Sequence, residues 1–344
     1  MDSRVMAERK VTSLDVAAKA GVSQSAVSRV FTPGASVSKK MADKVRKVAE
    51  DLGYRPNVLA RSLITGRSKI IGLVVAYLDN QFYPDALERL SNALQKRGYH
   101  ILIFMASETG EGVSKVIDEL LDYQVDGIIT ASVGMSDELA GRCDAAGIPV
   151  VLFNRGQEDE RLSQVTSNNS AGARIIAEFL VAGGHKRIAH ITGWTGSSTG
   201  RDREAGFRAG LAEAGLAPHA ILDGHYRRAD AEAAAKSMMA MDQPPDAIFV
   251  GNDHMAFSVM DTLRFELGLK IPDDVSIVGY DDVPLASWGA YDLTTLRQPS
   301  NRMVEATVET LLERIENPSA VPHKIAIDGP LIVRGSARVP KEWA

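Results

Sequence analysis

LDVAAKAGVSQSAVSRVF, residues 14–31, reads as two short helices joined by a tight turn. Leu14, Val16, Ala17 and Ala20 give the first an apolar face, and Ser13 stands where a helix cap is expected. Gly21 follows, the residue type that closes a helix in the left-handed conformation without a Cβ penalty. Ser23 is placed to cap the second helix, expected from Gln24 to about Phe31 with Val27 and Val30 inward. Helices so closely joined must cross steeply, and the small Ala17 lets them approach. That is helix-turn-helix geometry, whose second helix enters the major groove of DNA. Its outward face carries Gln24, Ser25, Ser28 and Arg29. Gln and Arg each make paired hydrogen bonds to a base edge, and Ser serves bases or phosphates. Ser38 is expected to cap a third helix with Met41, Val45, Val48 and Leu52 as its core stripe. Lys39, Lys40, Lys44 and Lys47 lie on its other side, as phosphate neighbours or as solvated charges.

Charge separates this head from the rest. Residues 1–67 carry 13 Lys/Arg and 6 Asp/Glu, a net +7; residues 68–344 carry 26 and 38, a net −12. A basic head on an acidic body is expected when only the head meets phosphates. The 344 residues, 45% hydrophobic and 24% charged, make an ordered globular chain of two or three domains and not a disordered one. The single cysteine, Cys143, excludes a disulfide framework and a multi-cysteine zinc site, and it reads as a small buried hydrophobe. His185 has no second ligand at metal spacing, so neither metal nor cofactor is expected. The opening MDSRVMAERK lacks the apolar run of a secretory signal, and no run reaches the roughly 18 apolar residues of a membrane helix. A cytoplasmic protein without a membrane partner is expected.

Beyond Arg67 the pattern alternates. Residues 70–76, 100–104, 127–131 and 149–153 read as short buried strands, with helical stretches such as 85–97 and 113–123 between them. A second series follows at 187–192, 247–250 and 275–279. Two such series imply an α/β body of two doubly wound lobes, with ligands in the crevice at the carboxyl ends of the strands. Those ends are polar. Tyr77 and Asp79 close the first strand, with Phe82 and Tyr83 just beyond; Asn154 and Arg155 close the fourth. GWTGSSTG leads to Arg201, and Gly251, Asn252 and Asp253 precede Tyr280, Asp281 and Asp282 in the later strands. Each Asp or Asn alone could be a turn or a cap. Together they offer amides, carboxylates, guanidiniums and aromatic rings, a mixture that fits vicinal hydroxyls and the C–H face of a sugar.

Residues 11–66 resemble the head of the lactose-repressor (LacI/GalR) family of bacterial transcription regulators. The resemblance rests on AGVS at 20–23, VSRV at 27–30, LGYRPN at 52–57 and ARSL at 60–63, in that order and spacing. It extends over nearly the whole chain. It implies an all-α helix-turn-helix head (1–56), a hinge helix and linker (57–68) and a periplasmic-binding-protein-like body (69–344). The first lobe would take about 69–165 and 300–328, the second about 166–299 and 329–344. It implies that Gln24, Ser25 and Ala26 read bases, while Thr12, Ser23, Ser28, Arg29 and Ser38 contact backbone or base edges. Asn57 opens the hinge helix, and Leu63 matches the leucine that wedges into the minor groove. Asn154, Arg201, Asn252 and Asp281 match the strongest effector positions, and Phe82, Arg155, Tyr226 and Gln298 more variable ones. Ala26 stands where Thr is common and Thr32 where Asn is common. The family further implies a homodimer on a near-palindromic operator.

Two other functions share some of these features. Gly196-Ser197-Ser198-Thr199-Gly200 satisfies the G-x-S-x-G pattern of hydrolases, with Asp281 and His323 following in chain order. The loop is rich in Gly and Ser by turn chemistry, however, and hydrolases lack such a head. A transport-type solute-binding protein shares the body but not the basic head. A non-enzymatic repressor of carbohydrate-use genes is the expectation, and since KEWA at 341–344 carries no apolar heptads, no helical tetramer-forming tail is expected.

Overall fold

Thr12, and not Ser13, caps the first helix. Its Oγ1 accepts from Asp15 N, and its own N–H donates to Asp15 Oδ2 at 2.8 Å, a reciprocal capping box. The computed structural model describes residues 11–32, 34–55, 66–106 and 110–343. Its head contains α1 (Ser13–Ala20), α2 (Gln24–Val30) and α3 (Lys39–Asp51). Gly21 closes α1 at φ +63°, and Ser23 and Ser38 cap α2 and α3 through Ala26 N and Met41 N. Val16, Ala17, Ala20, Val27, Val30, Val45 and Ala49 form the head's core. Val48 and Leu52 are partly buried against it, and two further expected core positions are exposed. Leu14 is exposed because Val16, Ala17 and Ala20 already complete a narrow stripe, and Met41 is exposed because α3 turns Ala49 inward with Val45. Asn57 and Leu63 lie outside the described residues.

In the body, β1 (Ile70–Val75), α4 (Phe82–Lys96), β2 (His100–Met105), α5 (Gly110–Asp122), β3 (Gly127–Ala131), α6 (Asp137–Ala145), β4 (Val150–Phe153) and β5 (Ser163–Ser167) run in sequence. With β11 (Lys324–Ile327) they build a parallel sheet of order β11-β5-β4-β3-β1-β2. Next come α7 (Asn169–Ala182), β6 (Ile188–Thr192), α8 (Ser198–Glu213), β7 (Ile221–Asp223), α9 (Arg228–Met239), β8 (Ala247–Val250), α10 (Asp253–Asp261), β9 (Ser276–Asp281) and β10 (Thr294–Arg297). With β12 (Leu331–Ile332) they build the second sheet, β12-β10-β9-β8-β6-β7, parallel except for β12. Helix α11 (Ser300–Glu316) then packs on β4 and β5, β11 (Lys324–Ile327) joins the first sheet, and β12 (Leu331–Ile332) joins the second. Strands covered on both faces bury nearly every residue, which is why IIGLVV, GIITA and VVLF are continuous apolar runs.

The second lobe depends on one close helix packing. Gly206 and Gly210, a turn apart on α8, face α7; a Cβ at Gly206 would overlap the backbone of Ser170. Gly206→Ala should gain helix propensity of about 1 kcal/mol on its own. Here the backbone clash reverses the sign, and we expect a net loss of about 1–3 kcal/mol. Urea denaturation followed by circular dichroism measures it; a stabilised variant would contradict the packing.

Candidate functional site

The carboxyl ends of both sheets meet in one crevice. Tyr77, Asn80, Tyr83, Asn154 and Arg155 come from the first lobe; Thr199, Arg203, Tyr226, Asn252 and Asp281 come from the second. Several are aimed by unusual backbone. Asn154, Tyr226 and Asp281 have φ of +71°, +59° and +133°, which turn side chains at strand ends toward the crevice. Gly193 leaves room for Tyr226, since a Cβ there would overlap its ring.

Arg203 is the centre of this arrangement. It is 2% exposed, its Nε donates to Asn169 Oδ1 at 2.8 Å and its Nη1 to the Gly251 carbonyl at 2.6 Å. Its Nη2 lies 3.7 Å from Asp281 Oδ1, and the guanidinium carbon stands 3.6 Å from the centre of the Tyr280 ring. Asp281 also accepts from Gln298 Nε2 at 2.7 Å and from the Asn80 side chain. Burial pushes the Asp281 carboxyl above the usual carboxylate range, and Arg203, Gln298 and Asn80 pull it back. Behind it, Asp253 accepts from Thr295 Oγ1 at 2.6 Å and Val283 N at 3.0 Å, tying β9 to β10; burial and then the Asp281 charge raise its pKa.

Two acceptor oxygens are buried without a donor: Oδ1 of Asn154, which lines the crevice, and Oε1 of Gln298, which lines the neighbouring space beside Phe82 and Asp281. Asn154 donates through Nδ2 to the Tyr83 hydroxyl at 3.1 Å, and Arg155 to the Tyr77 hydroxyl at 3.3 Å. The Tyr226 hydroxyl donates to Thr199 Oγ1 at 3.0 Å. Asn252 caps α10 through Oδ1 while lining the crevice.

Other expected residues stand farther out. Phe82 stacks on Phe153 with ring centres 6.1 Å apart and forms a wall beside Gln298. Asp79 is exposed and lies 3.6 Å from His254, bridging the lobes outside the crevice. Arg201 is also exposed, and its guanidinium donates to the Thr195 and Gly196 carbonyls. At 100° per residue, two positions along α8 reverse the direction of a side chain, so Arg203 reaches inside where Arg201 does not. A signal for Arg203 was available. Gly200, Arg203, Gly206, Phe207 and Gly210 recur at helical spacing on the buried face. Asn80 and Thr199 carried no comparable signal. The GSSTG loop assembles no triad: Ser198 Oγ accepts from Gly156 N at 2.9 Å, and the His323 ring is on Glu313. Among the described residues no helix is long and apolar enough to cross a membrane, and no cluster could hold a metal ion.

In the head, Gln24, Ser25 and Arg29 are exposed on α2, and Ala26 and Ser28 are half-buried. Gln24 donates to Ser13 Oγ at 3.0 Å. Thr12, Ser23 and Ser38 all serve as helix caps at exposed N-termini.

The two arginines of α8 separate cleanly by experiment. Arg203→Leu strands the Asp281 carboxylate and the Gly251 carbonyl, and we expect it to cost about 3–5 kcal/mol. Arg201→Leu should change stability by no more than about 0.5 kcal/mol. Equal effects in chemical denaturation would refute the burial argument.

The family described as "Bacterial regulatory proteins, lacI family" matches residues 12–57, and the "Periplasmic binding protein-like domain" matches 177–337. The chain is 32% identical over 330 residues to the HTH-type transcriptional repressor PurR of Vibrio campbellii, covering 95% of this chain and 98% of that protein. It is 31% identical over 334 residues to the ribose operon repressor of Escherichia coli, covering 95% and 99%. A lac repressor dimer bound to operator and the anti-inducer ONPF aligns with a TM-score of 0.86, at 27% identity over 95% of this chain and 99% of that one. The transcriptional regulator CelR in complex with cellobiose gives 0.72, at 29% identity over 95% and 100%. With its helix-turn-helix head and two-lobed body, this chain belongs to the lacI family of bacterial regulatory proteins.

Proposed function

We propose that this chain is a cytoplasmic repressor that binds a near-palindromic operator as a homodimer and answers to a neutral sugar or polyol held between its lobes. The single observation that carries the ligand class is the pair of buried acceptor oxygens, Asn154 Oδ1 and Gln298 Oε1, beside the Asp281 carboxylate. The two unanswered oxygens call for donors, and hydroxyl groups supply them. Tyr77, Tyr83 and Tyr226 add ring surface for C–H faces. The positive charge of Arg203 is already matched by Asp281 and the Gly251 carbonyl, which disfavours an anionic ligand.

For DNA, exposed Gln24, Ser25 and Arg29 supply base-reading groups, with Ala26 and Ser28 beside them. Thr12, Ser23 and Ser38 hold helix N-termini, whose N–H groups favour phosphates. Asn57 and Leu63 take the hinge and wedge roles on the family resemblance. The division into a head to residue 56, a hinge to residue 68 and a body beyond is proposed on the same ground. Effector binding would change lobe closure and thereby operator affinity, a coupling typically of about 1–3 kcal/mol in each direction. No catalytic step is assigned.

Two tests follow. Selection of DNA from a random pool by the full-length protein, with and without pooled sugars and at stated salt, should enrich a palindrome. Failure in both conditions would remove the operator assignment. The dimer has its own candidate surfaces. The edge strand β2 exposes Ile103 and Met105, and the second lobe exposes Phe265 (80%) and Trp288 (59%). Ile103→Asp should shift the sedimenting species toward monomer; an unchanged dimer would exclude the β2 edge as part of the interface.

A further inference from the structure

The space inside the body is unevenly divided. The inner crevice around Asn154, Arg203 and Asp281 leaves only about 10 Å³ open, whereas a cavity next to it holds about 540 Å³. The second value lies within the range of small-molecule sites. Arg155 lines both spaces, so the outer cavity and the inner crevice share its side chain as a wall.

Trp194 gives the outer cavity a ring surface. The indole is 41% exposed, unusual for the largest aromatic side chain when it is not at a contact surface. It is seated on Gly196, where a Cβ would overlap the indole, and the Arg155 guanidinium carbon lies 5.8 Å from its ring centre. The first glycine of the GSSTG loop therefore has a use unrelated to hydrolysis: it lets the indole lie down at the cavity. Polar groups surround the ring. Gln164 and Thr166 come from β5, and Ser198, Arg201 and Asp202 from the start of α8. The charges balance, with Arg155 and Arg201 against Glu158 and Asp202. An uncharged ligand with hydroxyls on its edge and C–H bonds on its face fits this wall.

We propose that the outer cavity is a second sugar subsite, with Trp194 as its stacking platform, so that the effector is a disaccharide or longer glycoside and not a free monosaccharide. This rests on the sugar reading of the inner crevice. The inner crevice at about 10 Å³ is too small for a sugar ring, so the lobes must part for one ring to reach Asn154 and Asp281, with the glycosidic bond passing Arg155. The next ring lies on Trp194, hydrogen-bonded at its rim by Gln164 and Thr166.

The experiment is calorimetric titration of the full-length protein with cellobiose, maltose, lactose, sucrose and trehalose, against glucose, galactose, fructose and ribose. Wild type, Trp194→Ala, Trp194→Phe and Asn154→Ala are compared, with operator binding as the folding control. A disaccharide should bind wild type more tightly than any monosaccharide. Trp194→Ala should weaken it about tenfold, Trp194→Phe should restore most of the loss, and neither should alter a monosaccharide's affinity. Asn154→Ala should weaken both ligand classes. A monosaccharide that binds as tightly as every disaccharide, or a Trp194→Ala loss shared equally by both classes, overturns the second subsite and leaves the sugar reading standing. Binding of no saccharide at all overturns both.

Discussion

A guanidinium that reaches almost no water must be answered on every edge. Around Arg203 that requirement organises the second lobe. Leaving a buried ion unmatched costs several kcal/mol, so its partners must arrive together. They come from segments far apart in the chain: Asn169 from the start of α7, Gly251 from the end of β8, and Tyr280 and Asp281 from β9. None can be in place unless α7 and α8 approach through Gly206 and the strands take their β9-β8-β6 order. The same guanidinium holds down the pKa that burial would otherwise raise further on Asp281. A packing feature of two helices thereby becomes an electrostatic feature of the crevice.

The crevice also stores backbone strain. Asn154, Tyr226 and Asp281 sit at positive φ, where a side chain with a Cβ costs about 1–3 kcal/mol. The surrounding bonds offset that cost. Asn154 N donates to Val165 O at 2.9 Å, and Gln298 N donates to the Asp281 carbonyl at 3.1 Å. Each strained residue ends a strand or follows one, so the sheets themselves fix its position. Rigid strands followed by one or two turned residues place side chains more accurately than a long loop could.

Much of this was legible in the residues, for identifiable reasons. Strands buried on both faces must be apolar throughout, so β1, β3 and β4 are plain in the sequence. β5 is not, because two of its three inward positions are serines, Ser163 and Ser167. β7 and β10 are short and depend on neighbours for their pairing. In α8 the three-to-four residue spacing singles out Arg203, while matching by motif points two residues earlier, to the exposed Arg201. The cap on α1 moved by one residue for a similar reason. Ser13 satisfies the type of residue a cap needs, but only Thr12 has a carboxylate three residues on to complete the box. Positive φ at Asn154 and unanswered oxygens at Asn154 and Gln298 arise from tertiary placement and leave no trace in spacing.

These oxygens also bear on how a ligand could move the lobes. The lobes are bridged by Gly156 N to Ser198 Oγ, by Asp79 near His254 and by Asn80 on Asp281. Individual hydrogen bonds of this kind contribute about 0.5–1.5 kcal/mol net, so closure rests on a small balance. A ligand shifts that balance only by binding one arrangement better than the other. One held by a single lobe would add nothing to closure, however tightly it bound. Asn154 Oδ1 belongs to the first lobe, and Gln298 Oε1 and the Asp281 carboxylate belong to the second. On the proposed reading, a polyol whose hydroxyls answer both lobes at once must favour the geometry that brings those acceptors within its span. The buried acceptors that select for hydroxyls are then the same atoms that make closure depend on the ligand.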